Sequence, residues 1–159
     1  MENSTMHGYQ IIDEPRSNKL SHTTVDPMWP LLGFMLGGPL FSWAWSALNS
    51  FALNSPSRNK ELVIIGSAFI SFFALYTGVS VLQSNGAVSG INPQYINLFI
   101  ISIELVFCYK IFLMQKESFD IYEYFDGKVA TPVFGLFLAL FFGKKLEVFA
   151  ITHLLTGAQ

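Results

Sequence analysis

Four apolar stretches, separated by polar or charged segments, set the pattern of the chain. Residues 28–53 carry no charge at all, and as one helix at 1.5 Å per residue they exceed a hydrocarbon core of about 30 Å. Residues 62–82 and 95–113 repeat the device, the latter with Tyr95 and Tyr109 near its ends as interfacial anchors. The last apolar run begins at 129 and meets Gly143-Lys144-Lys145 after about 14 residues, short for a span. It either re-enters or continues through the lysines as a fourth helix over 129–150, and the second reading is preferred because lysine side chains snorkel at modest cost. Before the first stretch lies a polar tail, 1–27. Between the third and fourth lies a linker, 114–128, in which charges alternate with Phe119, Tyr122, Tyr124 and Phe125.

The spacing of small residues predicts how these helices meet. In the first stretch Gly33 and Gly37 stand four apart, as do Gly38, Ser42, Ser46 and Ser50, and in the second Gly66, Ala74 and Gly78 share a stripe. Such stripes let helix backbones approach closely. With the short polar loop 54–61 between them, the first two stretches read as an antiparallel pair of spans. Gly37-Gly38-Pro39 interrupts the first, and because proline removes a donor and clashes with the preceding turn, a kink or short unwound stretch is expected there.

Composition turns this pattern into a solvent argument. The 159 residues are 52% hydrophobic and 13% charged, about half the charge of an ordinary soluble domain. Segments 28–155 are therefore expected to form an all-α, polytopic membrane bundle of four transmembrane helices, with membrane lipid as its surroundings. A net charge of −2 supplies no field for a polyanion, so no nucleic-acid partner is expected. The single cysteine, Cys108, admits neither an intrachain disulfide nor a cysteine metal cluster. Arg58 and Lys60 against an uncharged 83–94 loop favour a cytoplasmic 54–61 loop, which puts the tail on the other side.

Locating the charges isolates one residue. Glu104 falls near the middle of the third stretch, where an acidic group costs about 2.5–3.5 kcal/mol to insert. It either moves a proton or cation, or ties its helix to polar groups on its neighbours. Lys144, Lys145 and His153 are the interfacial candidates, and no second ligand stands near His153 at metal-binding spacing. Phosphate-loop, dinucleotide, zinc-protease, dithiol and nucleophile-elbow motifs are all missing. No catalytic residue, metal or cofactor is expected.

Leu36-Gly37-Gly38-Pro39-Leu40 opens a segment that runs through Asn49 to Leu53-Asn54-Ser55-Pro56-Ser57-Arg58, and further along the chain come Gln115 and an acidic, aromatic linker ending in Gly127-Lys128. Over most of 30–132 this layout resembles small bacterial integral membrane proteins of unassigned function, and the resemblance implies a bacterial inner membrane without implying an activity. The leading functional expectation is a noncatalytic membrane subunit that self-associates or anchors a larger assembly through Gly33, Gly37, Gly38, Ser42, Ser46, Gly66 and Gly78. The alternative is a homo-oligomeric pore or ion- or proton-conducting effector using Glu104, and an intramembrane enzyme comes third.

Overall fold

A computed structural model describes residues 20–156, so most of the polar tail lies outside the described residues. The described chain is helical, with elements α1 (Met28–Gly37), α2 (Pro39–Leu53), α3 (Arg58–Ser84), α4 (Pro93–Tyr124), α5 (Val133–Leu138) and α6 (Lys144–Thr156). A 3-10 turn, Ser21–Thr23, precedes α1, and a π-helical turn, Ala139–Gly143, joins α5 to α6. Two of the helices, α3 and α4, are each long and apolar enough to cross a membrane.

The first apolar stretch is not the single span that its length predicts. Gly38 takes φ +84° and ψ 176°; the positive φ is open to glycine because it has no Cβ, and the extended ψ agrees with the exclusion of the helical region before Pro39. Pro39 then starts a new helix, where its missing N–H costs nothing. The two arms fold back on each other. Ser42 Oγ donates to the Pro30 carbonyl at 2.7 Å, the Val25 N–H donates to Asn49 Oδ1 at 2.9 Å, and Gly33 faces the Trp45 ring. In one continuous helix, residues 30 and 42 would stand about 18 Å apart. Hydropathy marked the break; it carried no information about the angle, and the expected kink is a complete reversal.

That reversal also revises the topology. Residues 21–26 lie at the same end of the bundle as loop 54–57: Asp26 pairs with Lys116, the Tyr122 hydroxyl reaches the Ser21 carbonyl, and Ser55 meets Ser118 one turn away on α4. The described end of the tail and the 54–57 loop therefore share one end of the molecule, contrary to the expected placement on opposite sides. From this common end α3 runs to the far end, α4 returns, and the run 133–156 heads out again past Gly37.

Other elements extend beyond their expected limits. The third apolar stretch and the linker as far as Tyr124 form one 32-residue helix, α4, capped by the Asn92 side chain on the Gln94 N–H with Pro93 in the first turn. Its buried residues, Ile100, Glu104, Cys108, Ile111, Gln115, Phe119 and Tyr122, are spaced by threes and fours in one continuous stripe into the linker. The last run passes through Gly143-Lys144-Lys145 without stopping, with the π turn absorbing the irregularity.

The core is built where the hairpin meets α3 and α4. Phe34, Leu40, Trp43, Ile65, Ala68, Phe72, Cys108 and Ile111 form one cluster, with Trp43 edge-on to Phe69 and Phe72 at centroid distances of 5.4 and 6.3 Å. Ser42, Ser46, Asn49, Ser50, Glu61, Glu104 and Gln115 are buried, while Leu48, Val63, Ile70, Phe99, Val106, Phe137 and Phe141 are exposed.

Candidate functional site

Two polar clusters occupy the interior, and they differ in one respect that decides their roles. The first lies near the common end. Glu61, fully buried, accepts hydrogen bonds from Ser55 Oγ at 2.7 Å and Ser57 Oγ at 2.6 Å on one oxygen, and from Ser50 Oγ and Gln115 Nε2 (3.2 Å) on the other. Gln115 also donates to the Ser46 carbonyl at 2.7 Å. Asn49, which donates weakly to Gln115 Oε1 at 3.4 Å, holds the Val25 backbone with its own oxygen. Both oxygens of the carboxylate are doubly engaged. A buried charge met by this many donors is a fastener, here joining the second hairpin arm, the loop after it, α3 and α4.

The second cluster lies at the tip of the hairpin and is left open. Cys108 contacts Ser42 at 2.9 Å, so Glu104, one turn further along α4, reaches the level of the Gly37-Gly38 reversal. Glu104 is 1% exposed, and neither carboxyl oxygen has a hydrogen-bond partner among the described residues. The charged groups that act on it are Glu147 and Lys144 of α6, and Tyr76 of α3 in turn senses both acids. Lys144 Nζ lies 3.0 Å from Glu147 Oε2, and that same oxygen sits directly against Gly38, leaving no room for a Cβ there. The Glu147 carboxylate thus faces the start of α2, where unpaired N–H groups favour negative charge.

Backbone irregularity concentrates at the same level. A Cβ on Gly37 would lie 3.0–3.2 Å from Ala139 atoms, and one on Gly143 would lie 2.3 Å from the Gly37 Cα. The broken arm and the π turn therefore touch backbone to backbone. Helix breaks and π turns release carbonyls and N–H groups from the helical ladder, and such places recur at functional sites.

The small residues divide accordingly. Gly33, Gly37, Gly38 and Ser42 serve the hairpin and its contact with the last helix, and the Ser46 carbonyl holds Gln115. Gly66 and Gly78 of α3, half-buried and exposed respectively, meet no helix among the described residues, since a Cβ at either would find nothing within 4 Å. Lys145 and His153 are exposed, His153 with its ring against Phe149 at 4.2 Å. No group of three or more His, Cys, Asp or Glu side chains that could hold a metal ion occurs among the described residues.

Glu61 is the residue that the sequence pattern does not reveal. In one dimension it closes a loop, and only the fold surrounds it with Ser50, Ser55 and Ser57. The available signal was the density of hydroxyls just before it, which reads equally well as turn chemistry. The chain matches no protein-family model, no curated protein and no solved structure.

Proposed function

We propose that the chain is a noncatalytic integral membrane subunit, embedded by α3, α4 and the run 133–156 and completed by a second copy or by another membrane protein. Supporting the membrane part, only 17% and 22% of the most apolar windows of α3 and α4 are buried. Core helices of soluble proteins bury such windows. Here those apolar windows face outward, while Glu61, Glu104 and Gln115 lie inside beside the aromatic and aliphatic core, an arrangement that suits lipid. The hairpin arms fit the same reading: α1 is 10 residues long, about 15 Å, or half a hydrocarbon core. Irregular backbone at that depth is tolerated where protein covers it, as the π turn does. The bacterial inner membrane is the location that the layout resemblance implies.

One observation carries the subunit part. Lys144 is 61% exposed and Lys145 is exposed beside it, and both lie at the level of the hairpin tip, midway along the run 133–156. In a bilayer that level is the hydrocarbon centre, where each lysine costs about 2.5–3.5 kcal/mol. Glu147 compensates only one of them. The same run buries little besides Ala139 and Gly143, and presents Phe137, Leu140, Phe141, Val148 and Phe149 outward. Covering this face with protein removes two charges from lipid, and a conduit lined by the same charges would do so with water.

Native mass spectrometry from lipid nanodiscs tests the proposal. The expected species is larger than the monomer, through copies of the chain or a co-purifying subunit, and Lys144→Glu with Lys145→Glu should reduce it. A monomer in nanodiscs that also fails to cross-link in its native membrane refutes the subunit reading. Flux across proteoliposomes by the assembled species separates a conduit from an anchor.

A further inference from the structure

We propose that Glu104 is a single-proton site at the tip of the hairpin. Three independent observations lead there. The first is the empty coordination of Glu104: at 1% exposure both its oxygens lack partners among the described residues, whereas the comparably buried Glu61 accepts from four donors. An ionised carboxylate without donors is among the least tolerable groups in a low-dielectric interior. The second is charge. The titratable groups that act on Glu104 from other elements are Tyr76 of α3 and Glu147 and Lys144 of α6, and α1 and α2 contain none. With Lys144 bound to Glu147, the cluster carries one negative charge when Glu104 is ionised. One proton makes it neutral.

The third is a gradient of exposure. Lys144 is 61% exposed, Glu147 14%, and Glu104 1%. Solvent or a neighbouring chain reaches the first, the second turns inward to Gly38, and the third is enclosed. A proton on Glu104 removes the charge from the enclosed end of this gradient and leaves the Lys144–Glu147 pair intact. A metal ion is a poorer occupant because the described residues supply no third carboxylate, histidine or thiolate.

The inference depends on the bundle and not on the proposed assembly, so a monomer that retains the proton site would leave it standing. Infrared spectroscopy of the full chain in nanodiscs tests it. The folded wild type should show a protonated-carboxyl band at neutral pH that does not change when Na⁺ replaces K⁺. Glu104→Gln, close in shape and neutral, should abolish the band with the circular dichroism spectrum retained, and Glu61→Gln should preserve it. Absence of the band from the folded wild type overturns the proposal even if Glu104→Gln fails to fold. So does a band that varies with Na⁺, persists in Glu104→Gln or vanishes in Glu61→Gln.

Discussion

Gly143→Ala puts the contact between the two irregular backbones under the most demanding test. The added methyl would stand 2.3 Å from the Gly37 Cα and 2.5 Å from its carbonyl oxygen, well inside the 3.4 Å at which ordinary contact begins. These are backbone atoms of a buried residue, so no rotamer change relieves the overlap. Either α6 moves away from the hairpin or the π turn rewinds, and overpacking of this kind costs about 1–3 kcal/mol. Against it stands the intrinsic preference of a helix for Ala over Gly, up to about 1 kcal/mol in the opposite direction. With the offset at its full size the cost falls to about 0–2 kcal/mol, and because the overlap is with fixed backbone atoms the upper half of that range is expected. Gly66→Ala, in open space on α3, isolates the second effect and should stabilise by about 0.4–1 kcal/mol. Thermal or denaturant unfolding in one detergent, monitored by near-ultraviolet circular dichroism of the tryptophans, reports both. If Gly143→Ala is as stable as wild type, or if Gly66→Ala is equally damaging, the backbone contact does not hold the last helix to the hairpin.

The interior supports three further predictions. Glu61→Ala leaves Ser50, Ser55, Ser57 and Gln115 without their common acceptor, and at about 1–3 kcal/mol per stranded buried group it should be the most destabilising polar substitution in the same unfolding assay. Glu104→Gln should unfold within about 1 kcal/mol of wild type, since neither oxygen has a partner to lose among the described residues; a loss as large as that of Glu61→Ala would mark Glu104 as a structural tie. Asp26→Asn should change stability by less than about 1 kcal/mol, and the change should shrink in high salt, because its 3.5 Å pair with Lys116 is partly exposed and Lys116 keeps Asp120 at 2.9 Å.

The features legible in the sequence were those that repeat along one dimension. The apolar runs of α3 and α4 stand out because lipid-length segments need no knowledge of neighbours, and Glu104 stands out because it is an acid inside such a run. The break at Gly37-Gly38-Pro39 was equally visible, since Gly38-Pro39 excludes a regular helix on local grounds. Its direction was not. A kinked span and a hairpin have the same hydropathy, and only the pairs Pro30–Ser42 and Val25–Asn49 distinguish them. The clue lay in α2 itself, whose Ser42, Ser46, Asn49 and Ser50 form a polar face too rich for lipid. Gly66 and Gly78 show a different limit: their spacing matches a packing stripe that no described residue of the chain covers, and spacing does not say whether the partner of a helix face belongs to the same chain.

The hairpin is the claim on which the rest depends, because it sets the levels of Glu104, Glu147 and Lys144. Cysteines placed at the exposed positions His22, Asn59 and Ser89, in a Cys108→Ser background and in sealed vesicles of one orientation, test it with a membrane-impermeant maleimide. A returning hairpin puts positions 22 and 59 on the same face, so both should label together, with position 89 labelling only from the other face. Labelling of positions 22 and 59 from opposite faces would mean that residues 28–53 cross the membrane once, and would contradict the account.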